Sequence, residues 1–449
     1  MPTREAAPIN FIIGGMQRMT TTGSEYRLDG IYKQRQEGFY LQRVKLPAGV
    51  VSSSQARTVA AVSSRFGQGT IHLTTRGSME IHWLKESDLP IIKRDLAKVG
   101  LTARGACGGA VRGITSGSQA AQEFPALESI ARRLHRQFTG NPRFERLPKK
   151  FKIGIEASVA SGRHLIQDVG LVLTGGEDGR NLYDVWIAGG LGREPRPGFL
   201  FKQRLPEERI IPVIEAIVKV YATHAPPPKR LKFLAREFGE AKLCRLIEEE
   251  IVYREEIPRT SGLPEQLVPS SDGRQRLELQ LFAGKLTAGQ LEQIADTADR
   301  YADGVLMITA NQDIALLLSR GVEAAPILDA LQQSTGLDFA ATAPAMRVCP
   351  GSHECRMGLA STRDVATELL GLIGEQGRTQ SWAISGCPNS CSQPQLADVG
   401  IVCSALRKDE DGKRTPRFDI YRRTDAGLGT LSANDLTADE LFSKVKDIG

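Results

Sequence analysis

The chain has 449 residues, of which 41% are hydrophobic and 24% charged, with a formal net charge of +6 and seven cysteines. That length supports a large buried core and two to four domains, and the composition excludes a disordered or fibrous chain. An odd, sparse set of cysteines excludes a disulfide framework, while the positive charge suits an anionic substrate, a polyacidic cofactor, an acidic protein partner or nucleic acid.

In chain order, the opening MPTREAAPINFIIGG holds an apolar run too short for a signal-peptide core or a membrane span. No later stretch supplies about 18 uninterrupted apolar residues, so a cytoplasmic protein without a membrane partner is expected. From residue 46 the sequence reads LPAGVVSSSQARTVAAVSSRFGQGTIHLTTRGSMEI, and from residue 281 it reads LFAGKLTAGQLEQIADTADRYADGVLMITANQDIAL. Gly49 pairs with Gly284, Gln55 with Gln290 and Thr74 with Thr309, all at an offset of 235. Each copy predicts a loop, an amphipathic helix and a β-hairpin.

A second pairing matches HLIQDVGLVL at 164–173 with PQLADVGIVC at 394–403. The order is a, b, a′, b′, two copies of a two-part unit in an α+β fold with mixed sheets. Two helical stretches, RLPEERIIPVIEAIVKVYATHA and RLKFLAREFGEAKLCRLIEEEI, flank the breaker PPP, and the Pro/Ser/Gly-rich segment 254–273 reads as the hinge between copies.

The copies differ in chemistry. Aligned on DVG at an offset of 230, Cys387 and Cys391 fall on Ala157 and Ser161, while Lys150 and Lys152 fall on Gln380 and Trp382. Arg76 falls on Asn311. Copy one carries cations and copy two carries thiols. In KKFKIGIEA, Lys150 and Lys152 stand two apart at a strand start and share a side. Arg76 follows the strand TIHLTT, and Arg112 and Arg143 lie in the glycine-bearing stretches AVRGI and TGNPRFER. A charge run is usually a solvated face, but five cations on strand ends and loops can converge on an anion. The six histidines are scattered, which disfavours a histidine-bound metal.

Cys349 and Cys355 form C-x5-C, and Cys387 and Cys391 form C-x3-C. The wider spacing suits a zinc ion poorly and an iron–sulfur cube better, because four thiolates must surround a larger body. Gly351, Gly358 and Gly386, with Pro350 and Pro388, suit backbone wrapped closely round such a body. Spacing leaves iron–sulfur, zinc and free thiols open. Cys107, Cys244 and Cys403 lack such pairing, and Cys244, in a helix, reads as core.

Together the C-x5-C and C-x3-C pairs, the TTR strand end and the LPKK cation motif resemble the nitrite and sulfite reductase haemoproteins, from GIYKQRQEGFYLQRVKLPAG to the C-terminal strands. The resemblance implies two ferredoxin-like half-domains, 1–100 and 254–340. Two sirohaem/4Fe–4S-type α+β domains follow them, 101–253 with the anion-binding cations and 341–449 with the cluster. It implies a 4Fe–4S cluster on Cys349, Cys355, Cys387 and Cys391, with Cys391 bridging to the iron of sirohaem and Asn389 beside that bridge. Arg76, Arg143, Lys150 and Lys152 match the residues that bind the substrate anion, and Arg112 matches one that contacts the ring's carboxylates.

The implied reaction is six-electron reduction of sulfite to sulfide or nitrite to ammonia. Lys152 stands where nitrite reductases of this family usually have Asn, which favours sulfite. Lys149, where arginine is common, Arg356 and an abbreviated N-terminal arm depart from the pattern. With no flavin or nicotinamide domain, electrons are expected from a separate donor, a ferredoxin or a flavoprotein. An oxygen-inserting enzyme of corrin biosynthesis shares the repeat and cluster, but retention of the four anion-facing cations disfavours it. A nucleic-acid-binding protein with a structural cluster is disfavoured by the same cation placement.

Overall fold

Two helices in the first and third quarters of the chain begin in the same way. Ser52 accepts from the Gln55 backbone N–H at 3.2 Å while the Gln55 side chain takes the Ser52 N–H, and Thr287 and Gln290 repeat this reciprocal cap. These caps start helices Ser53–Phe66 and Ala288–Tyr301, which bury one apolar face each. The computed structural model describes residues 23–177, 179–253, 266–339, 344–409 and 411–448. Residues 254–265 of the expected hinge, the opening residues 1–22 and the boundary at 340 lie outside the described residues.

The paired glycines have a physical cause. Ala48 and Ala283 both take positive φ, 52° and 55°, and each is followed by a glycine at positive φ. A Cβ on Gly49 would collide with the carbonyl of Ile308, and one on Gly284 would stand 2.7 Å from the carbonyl of Leu73. Each copy's loop therefore lies against the strand end of the other copy.

The copies also trade strands. Strand Val50–Ser52 pairs antiparallel with Val305–Ile308 of the second copy, and Lys285–Thr287 pairs with Thr70–Leu73 of the first. The first sheet runs Ile31–Lys33, Phe39–Val44, Met79–Lys85, Thr70–Leu73, Lys285–Thr287; the other runs Arg276–Leu279, Ile314–Leu317, Val305–Ile308, Val50–Ser52. Leu73, Ile81, Val59, Leu291, Ile308 and Leu316 share one dry core, so the two half-domains form a single packed body.

The b units repeat a second topology. Strands Thr115–Ser116, Ile153–Glu156 and Val169–Glu177 run parallel, followed antiparallel by Arg180–Ile187 and Phe199–Pro206. Strands Met346–Val348, Trp382–Ser385, Val399–Lys408, Arg414–Arg422 and Thr430–Leu436 follow the same order and sense. The mixed sheets expected from the sequence are present.

One expectation shifts. Ile153 pairs with Val169, whereas Trp382 pairs with Val399, so Ile153 matches Trp382 and Lys152 matches Ser381. The offset is 229 in this strand and 230 at DVG, because the cysteine loop is one residue longer. The helical stretches around PPP fold as Ile210–His224, Leu231–Phe238 and Glu240–Glu250. Cys244 on the last is half-buried rather than core.

Candidate active site

The cysteine loops grow from the ends of two adjacent parallel strands. Cys349 follows Met346–Val348 and its N–H donates to Ile384 O, while Cys387 and Cys391 follow Trp382–Ser385. The Gly386 N–H donates to Cys349 Sγ at 3.2 Å. A Cβ on Gly358 would collide with the Gly351 backbone, and one on Gly386 would approach Gly351 Cα to 2.9 Å. Gly358 thus lets the first loop fold back on itself, and Gly386 lets the second loop close against it.

Burial pushes the Cys355 thiol up to about 11 and also raises Cys349 and Cys387; in each case the charge of Cys391 adds to the rise. Asn389 offers backbone and side-chain N–H groups to the Cys387 sulfur. Four sulfurs share one neighbourhood, yet among the described residues no three His, Cys, Asp or Glu side chains gather tightly enough for one metal ion. Four thiols on two adjoining loops match the ligand set of a four-iron cube.

The cations lie close by, with Cys391 among the charges that act on Lys150 and Lys152. Arg76 sits in the turn that closes Thr74 onto Ser78, its Nη1 donating to Gln167 Oε1 at 3.1 Å and its Nη2 to Gly113 O at 2.9 Å. Burial, then Arg112 and Arg43, push it down to about 9. Lys150 falls to about 8, from burial first, with Arg230 and Arg112 adding and Cys391 opposing. Lys152 falls well below the ordinary lysine range, from burial and then Arg76 and Lys150. Half-buried cations that depress one another carry more positive charge than their neighbours offset, so an anion would be favoured beside them.

Arg112 is buried, donates to the carbonyls of Ala106 and Gly108 and keeps Nε unpartnered. Arg143 stands apart: it is exposed on the turn Pro142–Phe144, its guanidinium 5.4 Å from the Phe144 ring, and it is not among the main charges acting on Arg76, Lys150 or Lys152.

Sequence reasoning missed three further groups. Arg230, buried and 2.7 Å from Asp168, faces all three of those cations. Lys45 is buried, donates to Thr139 Oγ1 at 2.8 Å, and is pushed down to about 7, chiefly by burial. Gln167 holds Arg76. The aspartate shared by the two DVG motifs was the available signal for Arg230; Lys45 showed only as a charge inside an apolar strand, YLQRVKL.

A cavity of about 230 Å³ lies behind the second cysteine loop, lined by Pro388, Ser390, Gln395, Arg193, Asp419 and Tyr421 among others.

A model described as the nitrite/sulfite reductase ferredoxin-like half domain matches residues 32–99 and 270–334, and one described as the nitrite and sulphite reductase 4Fe-4S domain matches 118–254. Together they cover more than half of the chain. The chain belongs to the nitrite and sulphite reductase family. The four cysteines lie outside both matches, so their grouping rests on the structure.

Within this family the chain is 27% identical over 480 residues to a sulfite reductase [ferredoxin] of Mycobacterium tuberculosis, covering 94% of this chain and 84% of that protein. It is 27% identical to a ferredoxin–nitrite reductase of Leptolyngbya laminosa (95% and 90% covered) and 26% identical to an assimilatory ferredoxin-dependent nitrite reductase of Haloferax mediterranei (88% and 76%). The solved structure of the Mycobacterium tuberculosis NirA protein superposes with a TM-score of 0.79 over 94% of this chain and 85% of that one at 24% identity, so the fold is shared.

The family member described here is an oxidoreductase of the sulfite/nitrite reductase type, and membership implies sirohaem and a 4Fe–4S cluster as its cofactors. None of the described helices is long and apolar enough to cross a membrane.

Proposed function

We propose that the chain is a sulfite reductase that takes six electrons from a separate donor and converts sulfite to sulfide. The observation that carries this is the half-buried group of Arg76, Lys150 and Lys152, whose two lysines share the neighbourhood of Cys391. In this reading Cys349, Cys355, Cys387 and Cys391 would hold the cluster, with Cys391 the thiol shared with the sirohaem and Asn389 beside it. Arg112 and Arg76 would offset ring carboxylates, while the role of Arg143 at the anion rests on the family resemblance alone. The bound groups supply one-electron transfer and an iron position for the anion.

The chain's own residues do the rest. Arg76 stays charged and orients the anion by its planar donors. Lys150, at about 8, exchanges a proton near neutral pH and can hand it to a departing oxygen. Lys152, held low by burial and by Arg76 and Lys150, becomes a second ammonium once an anion offsets them, which suits an anion with more charge than nitrite, and the cations together offset charge that builds on reduction. Nitrite is the second reading, because relatives named for nitrite are as similar as those named for sulfite. The ferredoxin named in those relatives, an acidic donor, suits a chain of net charge +6, with a flavoprotein the alternative.

The deciding experiment uses protein purified anaerobically, assayed for iron, acid-labile sulfide and extractable tetrapyrrole. Rates are then measured on sulfite and nitrite with reduced methyl viologen. A higher kcat/KM for sulfite supports the proposal, and a higher value for nitrite overturns the substrate assignment. Replacement of Cys391 by Ala is expected to abolish turnover.

A further inference from the structure

We infer that Gln167 is a positioning residue that aims Arg76 at the substrate anion without neutralising it, an inference that rests on the proposed role of Arg76. The duplication supplies an internal comparison. Asp168 Oδ2 accepts the backbone N–H of Lys152 at 2.8 Å, and in the second copy Asp398 Oδ2 accepts the N–H of Ser381 at 2.7 Å. That clasp is present in both b units and belongs to their common fold.

Its neighbour does not repeat. The counterpart of Gln167 is Ala397, and by sheet register the counterpart of Gly154 is Ala383. A Cβ on Gly154 would stand 3.0–3.2 Å from Cγ, Cδ and Nε2 of Gln167. The glycine therefore clears the space that the glutamine fills, and both changes occur only in the copy that bears the cations. Where the first copy has Arg76 the second has Asn311, which accepts from Arg163 Nη2 at 3.3 Å.

The choice of an amide follows from its two partners. Gln167 Oε1 accepts from Arg76 at 3.1 Å, and Nε2 donates to Arg163 O at 3.2 Å. A guanidinium only donates and a carbonyl only accepts, so the amide has one orientation and bridges both. The other direct acceptor of Arg76 is the Gly113 carbonyl, also neutral. Of the arginines that act on Arg76, Arg43 is held by Glu80 and Arg230 by Asp168, whereas Arg112, like Arg76, is held by neutral acceptors, the Ala106 and Gly108 carbonyls. Arg76 is fixed in direction while its charge stays available to an incoming anion.

The test is a spectral titration of the oxidised holoenzyme with sulfite, alongside cofactor content and Tm. Gln167→Glu keeps the shape and the Arg76 contact but adds a negative charge. It is expected to retain its cofactors and weaken sulfite binding by about tenfold or more. The double variant Gly154→Ala with Gln167→Ala copies the Ala383/Ala397 pair that already packs in the second unit. It provides a loaded enzyme should Gln167→Glu fail to assemble, and is expected to bind sulfite several-fold more weakly. Wild-type sulfite affinity in whichever of the two variants carries its full cofactor complement overturns the inference. Arg76→Gln is titrated in parallel: weakened binding there with unchanged binding in the loaded variants removes only Gln167, whereas unchanged binding in Arg76→Gln removes the proposed role of Arg76 as well.

Discussion

The Thr75 hydroxyl donates to the carbonyl of Cys391 at 2.8 Å, and Gln393 Nε2 donates back to the carbonyl of Thr75 at 3.2 Å. This clasp spans 316 residues of sequence and ties the turn that carries Arg76 to the loop that carries the exposed cysteine. Arg76 and the Cys391 sulfur are therefore carried on segments that are tied to each other.

Thr75→Val removes the donor and leaves a carbonyl unsatisfied at a position where Thr75 is buried. The expected cost is about 1–3 kcal/mol, seen as a Tm lower by about 1–4 °C. Turnover of sulfite and nitrite should fall by the same factor, because the clasp sets geometry and not selectivity. Unequal losses would show that the clasp also discriminates between anions.

Lys152→Asn removes one amine from the half-buried group. A hydrogen bond to a charged group contributes about 1.5–3 kcal/mol, so the ratio of kcat/KM for sulfite over nitrite should drop about tenfold or more. An unchanged ratio would discard Lys152 as the selector.

Lys150 supplies a pH dependence. Burial, Arg230, Arg112 and Lys149 hold its pKa down near about 8, with Cys391 opposing, and Lys150 in turn depresses Lys152. The ammonium form is the acid, so it prevails below about 8 and is lost as pH rises. KM for the anion should climb above about pH 8, and Lys150→Gln should flatten that limb. The variant also separates this effect from titration of the substrate itself. A profile unchanged in the variant would assign the limb to another group.

Gly358→Ala forces a Cβ into the Gly351 backbone. The first cysteine loop can then no longer fold back on itself, so iron and acid-labile sulfide should fall to less than half while far-UV circular dichroism is retained. Full cluster content in this variant would show that the loops can spread at little cost.

Much of this arrangement was legible in the sequence because it repeats. Gly49 and Gly284 match since each lies against the other copy's strand end, and Gln55 and Gln290 match since each closes a capping box. The cysteine pairs and the two lysines were legible from their residue types. The traded strands Val50–Ser52 and Lys285–Thr287 were not, because backbone pairing between copies leaves no residue-type signature. The one-residue offset at Lys152 was hidden for a related reason: it is set by loop length and strand register, which the DVG match alone does not fix. Gln167 and Thr75 are ordinary polar residues whose partners lie 91 and 316 positions away.

The traded strands also bear on how such a molecule can be divided. A single a–b unit standing alone would leave Val50–Ser52 and the edge of Thr70–Leu73 without partners, and only a second unit supplies both. As separate chains the two units would meet at a rate and affinity set by their concentration; joined in one polypeptide, they meet at the high effective concentration of a tether. Joining also fixes the pairing. Two free units could assemble like with like, giving one particle with two sets of thiols and another with two sets of cations. In one chain every pair is mixed, so each particle carries both halves of one working site.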